Sequence, residues 1–408
     1  MNKIMALAAA MAAVSPSVCL AADDQSDASQ AATEATAPPP KAAPSQPPVN
    51  VTGALTQFVG ASVSGDGSND LRYGGRLDVY ATAPITDRFS VTFHPEFVYG
   101  KSTNSIGGNT ILPVNTAMFF PSDGNEDFDL SVSFTQKIGK ASSVTFGKIN
   151  LLDLAAKTPI IGGGGLDGFQ NIALAAPPSG LVPPSLLGAI LSVPTKSGIF
   201  SFWIYDPVGT TNKTGLKDPF GSGVAALVSA TFPVKIGGKS GYQNIKFSAN
   251  TKRGFNLEDV PELVLPPGTT TLSSKKGAWN ITYSFQQFLW QNPNVPGAGW
   301  GVFGQIGKSD GNPTPLDWSG LIGIAGNPSA SRPADKFGVA YFQQSFSNVL
   351  EDALSPVLNL SDEKGVEAFY TAQLGKTFRL TGNVQFVDPA TAGKSTAVVL
   401  GFRLKAVF

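Results

Sequence analysis

Ten polar or charged side chains recur at alternate positions of four segments, and together they could form a binding site. They are Arg72, Arg76, Asp78, His94, Glu96, Arg379, Asn383, Gln385, Arg403 and Lys405. Guanidinium, ammonium, carboxylate and amide groups each donate or accept several hydrogen bonds, so a face that carries them could bind a small polar solute. The alternative is that these groups only hydrate and stiffen a polar wall. The sequence leaves both interpretations open.

The same residues give little support for a metal site or for a hydrolytic active site. His94 is the only histidine, so a multi-histidine metal site cannot form, and we predict no metal and no cofactor. Hydrolases usually activate their nucleophile through a histidine, and His94 falls on the polar face, so we predict that the chain is not an enzyme. Gly163, Gly165 and Gly168 match a dinucleotide-binding pattern, but they open no predicted helix, and we interpret them as a loop.

The placement of these side chains follows a repeat of two residues, which is typical of β-strands. Apolar and polar residues alternate over 71–82, 88–99, 127–135, 244–252 and 278–286. Such runs match the roughly 9–11 residues with which a tilted strand crosses a membrane, whereas soluble strands average about 5–6. We therefore predict transmembrane strands with apolar side chains toward lipid and polar side chains toward an inner lumen.

The last strand alternates in the same way and ends on an aromatic residue. Val398, Leu400, Phe402, Leu404, Ala406 and Phe408 share one face, while Arg403 and Lys405 lie on the other. A terminal Phe on the lipid face is typical of Gram-negative barrels, where it resembles the signal that the barrel assembly machinery binds. Because closure makes the first and last strands neighbours, we expect the early and late polar residues to form one patch of opposed charges.

The N-terminal region predicts export. Residues 1–21 have the pattern of a signal peptide, in which Lys3 precedes an apolar run over 4–14 and small residues precede the cleavage site. Residues 22–50 are rich in Pro and Ala and are predicted to be a disordered leader. The remaining residues, 51–408, are predicted to form a multi-pass β-barrel in the outer membrane of a Gram-negative cell, in contact with its lipid.

The composition agrees with an all-β, transmembrane antiparallel barrel of the outer-membrane porin type. Charged residues make up 14%, below the roughly 25% of soluble domains. Lys+Arg and Asp+Glu balance at 29 each, which argues against a nucleic-acid partner. The length of the barrel region predicts about 16 strands. Gly/Pro-rich stretches at 156–184, 206–221, 253–277 and 308–334 are predicted outer loops, at least one of which could fold inward. A homotrimer and a monomer both stay open.

Several short segments together resemble one known family, the carbohydrate-selective porins called OprB. They are GKINLLDL at 147–154, LDGFQN at 166–171, APPSG at 176–180, KSDGNP at 308–313 with Trp318, RPADKFG at 332–338, DEKGVE at 362–367, FVDP at 386–389 and GFRLK at 401–405. They span the C-terminal two-thirds of the chain, and they are specific as a set rather than singly.

The resemblance implies a 16-stranded barrel through which glucose and related sugars diffuse passively across the outer membrane. Monosaccharides would then be the solutes that the ten polar residues bind. A general, non-selective diffusion porin is the alternative within the same fold. A structural anchor that binds through 22–50 is a further alternative, but a barrel of eight strands would suit that role better than one this long.

Overall fold

Sixteen strands form one closed antiparallel barrel. The structure is a computed structural model that describes residues 49–105, 110–121, 127–158, 160–161, 165–179, 181–260 and 272–408. The strands are β1 Asn50–Ser64, β2 Arg72–Thr86, β3 Phe89–Gly100, β4 Asp127–Ile138, β5 Ser142–Asn150, β6 Ser185–Pro194, β7 Ile199–Tyr205, β8 Ala225–Ile236, β9 Lys239–Phe255, β10 Ser274–Gln291, β11 Gly299–Ser309, β12 Leu316–Gly326, β13 Lys336–Phe346, β14 Glu363–Leu374, β15 Phe378–Asp388 and β16 Ala397–Val407. Each pairs with its neighbours in sequence and β16 pairs with β1, which confirms the predicted barrel of about 16 strands.

The described residues outside the strands include three short α-helices. The predicted signal peptide 1–21 lies outside the described residues, as does the predicted leader 22–50 except for its last two residues. β1 begins at Asn50, one residue before the predicted start of the barrel. The helices Leu151–Ala156, Ile172–Ala175 and Asn348–Leu354 lie in connections. Among the described residues, no helix has the length and apolar character needed to cross a membrane.

Side-chain alternation gives the barrel an apolar outer surface and a largely polar inner one. Phe128 and Phe402 point outward and are 54% and 59% exposed, whereas Asp129 and Arg403, one residue further along, point inward and are buried. Successive side chains of a strand point to opposite faces, so the period of two in the sequence assigned these faces correctly. The outward residues are those that contact lipid in a membrane barrel.

The two ends of the chain close the barrel by direct pairing. The Gly53 amide donates to the Phe408 carbonyl at 2.8 Å, and the Phe408 amide donates to the Gly53 carbonyl at 2.9 Å. The Phe408 ring lies outward and is 66% exposed. A Cβ on Gly53 would lie 2.5 Å from this ring, so the ring lies directly over the backbone of β1. The predicted outward position of Phe408 is confirmed.

The connections are short at the end that carries the termini and longer at the other end, as in outer-membrane barrels. The predicted loops 156–184, 206–221 and 253–277 fall mainly between strands. The predicted loop 308–334 is wrong, because it contains β12. Its glycines reflect close packing rather than a turn: a Cβ on Gly323 would lie 2.5 Å from the Ala340 Cβ and 2.8 Å from the Phe303 ring.

Two long-end connections fold into the lumen instead of away from it. The β3–β4 connection sends segment 110–121 inward, and the β5–β6 connection sends segment 165–176 inward. Leu112 and Val114 of the first segment and Phe169, Ile172 and Leu174 of the second are buried in one apolar cluster. Inward side chains of the wall complete this cluster, namely Phe303, Leu321, Phe342, Phe369, Val387 and Val399. The lumen is thus narrowed by two segments that pack on an apolar area of an otherwise polar wall.

Candidate functional site

A buried arginine connects the wall to the first inward segment. The Arg76 Nε donates to the Asp78 Oδ1 at 2.8 Å, and its guanidinium also forms an ion pair with Glu96 on the next strand. Its Nη1 donates to the carbonyl oxygens of Ala117, at 3.2 Å, and Phe120. Because β2 and β3 are antiparallel neighbours, Asp78 and Glu96 lie opposite each other in register. One guanidinium therefore satisfies two carboxylates and holds segment 110–121 against the wall.

His94 extends this group toward the second connection. Its Nδ1 lies 2.8 Å from the Asp153 Oδ2, and its Nε2 lies 3.2 Å from the Asp78 Oδ1. The Tyr80 ring stacks on the imidazole with centroids 3.9 Å apart, and the Tyr80 hydroxyl donates to the Asp153 Oδ1 at 2.8 Å. Arg76, Asp78, His94, Glu96 and Asp153 are named the β2–β3 cluster below.

Ligand atoms of Asp78, His94 and Glu96 lie within 4.8 Å of one another, a spacing that could hold a metal ion. The Arg76 guanidinium already contacts both carboxylates, so a second cation there would be repelled by the first. The hydrogen-bonding interpretation of His94 is the one that the surrounding contacts support.

A second polar group lies on the last two strands, around Asp167 of the second inward segment. The Arg379 Nη1 donates to the Asp167 Oδ1 at 2.8 Å, and the Lys405 Nζ donates to the Asp167 Oδ2 at 2.6 Å. Burial alone would raise the pKa of the Asp167 carboxyl, but the charges of Lys405, Lys336 and Arg379 outweigh it and hold this pKa well below 3.8. Asp167, Arg379, Arg403 and Lys405 are named the β15–β16 cluster.

Arg403 acts on the backbone of the same segment. Its Nη1 donates to the Gly165 carbonyl at 2.7 Å and its Nη2 to the Gly168 carbonyl at 2.5 Å. Gly165 has a φ of +84°, a conformation in which glycine is favoured. Gly165 and Gly168 of the dinucleotide-binding pattern therefore lie in a segment that the wall holds by hydrogen bonds. Gly163 lies outside the described residues.

Carboxylates and amides of β14 and β15 hold both inward segments by their backbone. Glu367 accepts from the amides of Gln170 at 2.7 Å and Asn171 at 2.9 Å. Glu363 accepts from the amides of Ile111 at 2.7 Å and Leu112 at 2.9 Å. The predicted residues Asn383 and Gln385 complete this set: Asn383 donates to Glu367, and Gln385 donates to the Val114 carbonyl. Backbone amides that enter the lumen without strand partners are thus satisfied by wall carboxylates.

The ten sequence-predicted residues all lie on the inner face, but they do not form the expected single patch. Arg72 lies apart near the long-loop end, where it contacts Asp70 at 3.3 Å. The other residues divide between the β2–β3 cluster and the wall of β15 and β16. The single-patch expectation is wrong because β1 lies between these strands and presents uncharged inner residues, Thr56 and Phe58.

Several residues of the site were missed from the sequence, namely Asp153, Asp167, Lys336, Glu363 and Glu367. The two glutamates had a usable signal, because they stand at alternate inner positions of a strand whose outer positions include Val366 and Tyr370. Asp153 and Asp167 had none, since they come from connections whose course no periodicity describes.

A cavity remains between the second inward segment and the opposite wall. It has a volume of about 40 Å³ and combines polar groups of Thr158, Ser284, Gln286 and Gln305 with apolar ones of Ile161, Leu174 and Phe303. The Gln286 side chain also accepts from the Ile160 amide at 2.8 Å. A space of this size holds a water molecule but not a sugar.

The closed barrel, its apolar outer surface and its narrowed polar lumen define an outer-membrane diffusion porin. The family model described as the carbohydrate-selective porin, OprB family, matches residues 64–408. The chain therefore belongs to the OprB family of carbohydrate-selective porins, as the short segments in the sequence indicated. Its location is the outer membrane, and it works as a channel for carbohydrates.

Solved structures show the same fold at low sequence identity. OprB of Pseudomonas putida, in its high-pH structure, is 15% identical over 88% of this chain and 94% of that one, with a TM-score of 0.75. The channel DcaP of Acinetobacter baumannii is 13% identical over 88% and 97% of the two chains, with a TM-score of 0.52. A loop-deletion mutant of OmpT of Vibrio cholerae is 13% identical over 88% and 99%, with a TM-score of 0.51. No curated protein sequence matches.

Proposed function

We propose that small neutral sugars are the solutes of this porin, and that the solvent-accessible members of the two clusters, Asp153, Arg379 and Lys405, bind them as they pass the inward segments. The supporting observation is that both clusters combine cations and anions in contact with each other. Arg76 is paired with Asp78 and Glu96, and Asp167 with Arg379 and Lys405. Paired charges offer hydrogen bonds without a strong field of one sign.

A liposome swelling assay tests the sugar preference. We expect the purified full chain to admit glucose faster than a zwitterionic amino acid of similar size. Equal swelling rates for the two solutes would contradict sugar selectivity and leave only a general pore.

Two variants connect the preference to the site. Arg379→Gln and Lys405→Gln each remove a charge from the β15–β16 cluster at side chains that are 33% and 12% exposed. We expect each to reduce the ratio of glucose to amino-acid flux. Lys394→Gln is the matched control, because Lys394 lies in the β15–β16 connection, where it pairs with Asp66 at 3.9 Å. An unchanged ratio in both cluster variants would show that these charges only stiffen the wall.

A further inference from the structure

The outer wall has a cleft where β4 and β5 separate. The two strands pair only from Ser133–Gly147 to Ile138–Ser142, so the half of β4 nearest the long loops has no partner on its β5 side. Gly147 marks the point of separation with a φ of +119°, and a Cβ there would lie 2.5 Å from the Val132 carbonyl. A glycine is therefore needed where the strands part.

Polar contacts close this gap toward the lumen. The Asp129 carboxylate accepts from the Asn212 amide at 2.8 Å and forms an ion pair with Lys148. The Lys148 Nζ also donates to the Lys213 carbonyl at 2.7 Å. The β7–β8 connection thus covers the gap with hydrogen-bonded groups, so the cleft is not a side entrance to the pore.

Toward the membrane the cleft is apolar and open. It has a volume of about 510 Å³, and its lining includes outward side chains of β4 and β6 together with residues of the covering connection. The apolar members are Phe128, Leu130, Val132, Phe134, Leu187 and Leu216. Leu216 is 69% exposed, although it is a large aliphatic residue in a connection. On this face of a membrane barrel the surrounding medium is lipid, so an acyl chain is what fills such a depression.

The rim of the cleft nearest the long loops carries exposed ammonium groups, beside an Asp127 carboxylate that accepts from the Asn212 side chain. Lys213 lines the cleft, and Lys217 follows one residue after Leu216; both are exposed. The nearest lining carboxylate, Asp129, is already paired with Lys148. An ammonium group at the level of the lipid headgroups attracts a phosphate.

We propose that this cleft binds one phosphorylated lipid of the outer leaflet, with an acyl chain against β4 and its phosphate near Lys213. The site is separate from the lumen, so lipid binding and sugar passage are independent properties. A lipid seated there would cover the apolar side chains of β4 that β5 leaves bare where the two strands separate.

Native mass spectrometry of the full chain in detergent tests the proposal, with diphosphoryl lipid A as the probe and phosphatidylcholine as the comparison. We expect one retained lipid A per barrel and weaker retention of phosphatidylcholine. Val132→Trp should place a ring in the path of the acyl chain and strongly reduce retention of lipid A, and Lys213→Gln should weaken it by roughly fivefold, the effect of one ammonium at a membrane surface.

Matched controls separate specific from general effects. Val339→Trp places the same ring on the outer face of β13, and Lys394→Gln removes an ammonium from another connection; neither should change lipid retention. The heat-modified gel mobility of each variant shows whether its barrel is folded. Equal retention of lipid A by the wild type and by folded Val132→Trp would overturn the proposal. The wild type could instead form dimers or trimers without lipid. If Val132→Trp dissociated them, the occupant of the cleft would be a second copy of the chain rather than a lipid.

Discussion

At the scale of single residues, Arg76 shows how a charge can be buried in the wall. Its guanidinium contacts Asp78, Glu96 and two backbone carbonyls, so removing it would leave two buried carboxylates without a cation. Breaking a buried ion pair from one side costs about 3–5 kcal/mol. We therefore expect Arg76→Met to lower the temperature at which the folded gel band converts to the unfolded one.

The control for this change is Arg72→Met. Arg72 lies on the same strand and the same face, but its ion-pair partner Asp70 is 66% exposed. Such pairs contribute about 0–1 kcal/mol, so its conversion temperature should stay close to that of the wild type. A shift in Arg72→Met as large as that in Arg76→Met would contradict the structural role of the β2–β3 cluster.

A different prediction applies to Arg403, because its partners are carbonyls of an inward segment rather than carboxylates of the wall. Hydrogen bonds from a charged donor contribute about 1.5–3 kcal/mol each, and Arg403→Met removes two of them from Gly165 and Gly168. We expect segment 165–176 to loosen and the single-channel conductance in planar bilayers to rise. Arg253→Met, at the outer end of β9, is the control and should leave conductance unchanged; a similar rise in both variants would contradict this account.

At the scale of elements, the docking of segment 165–176 depends on an ionised Asp167. Its pKa in the folded protein is held well below the value of 3.8 that it has when unpaired. A carboxyl with a lowered pKa stabilises the docked state above the unpaired pKa, and the contribution is lost as the pH falls through the folded pKa. We therefore expect the contribution of Asp167 to docking to stay constant from roughly pH 8 to pH 5.

Asp167→Asn supplies the complementary observation. The amide cannot form ion pairs with Arg379 and Lys405, so we expect this variant to show a raised conductance throughout the same pH range. A wild-type conductance that already rises near pH 5, or a variant indistinguishable from the wild type, would show that another contact holds the segment.

The strands were the elements that the sequence could predict, and the inward segments were not. Alternation in β2, β3 and β16 assigned the faces of Arg76, Glu96 and Arg403, because a strand gives each residue a fixed side. It could not show which groups these side chains meet, since their partners at Gly165 or Ala117 come from connections without periodicity. The prediction of a loop at 308–334 failed for the opposite reason: three of its four glycines lie in β12, where Gly320 and Gly323 make room for neighbouring rings.

Apolar residues at inner positions of the strands could have predicted where a connection packs inside the barrel, but an analysis of alternation alone misses them. Phe342, Phe369 and Val399 stand at positions where a water-filled lumen would call for polar groups, and they pack against Phe169 and other residues of the inward segments. An inner face that turns apolar over neighbouring strands therefore indicates where a connection folds into the barrel. Which connection does so depends on contacts across the lumen.

At the scale of the whole molecule, the C-terminal strand has two roles that can be separated. The Phe408 backbone pairs with Gly53 and closes the barrel, whereas its ring lies outward, 66% exposed, with Gly53 beneath it. A side chain so exposed adds little to the packing of the finished barrel. We propose that the ring serves instead as the signal for the barrel assembly machinery.

Phe408→Ala tests this division, because it keeps the backbone pairing and removes only the ring. We expect less heat-modifiable protein in the outer membrane of cells that express the variant. The protein that does assemble should convert to the unfolded band at the wild-type temperature after purification. Phe402→Ala is the matched control, since Phe402 lies on the same strand, faces outward and is 59% exposed. Its yield should stay near that of the wild type, because an aromatic residue inside the strand is not at the terminus that the machinery would bind. Equal losses of yield in the two variants, or a lower conversion temperature for Phe408→Ala alone, would mean that the ring stabilises the barrel rather than directing its assembly.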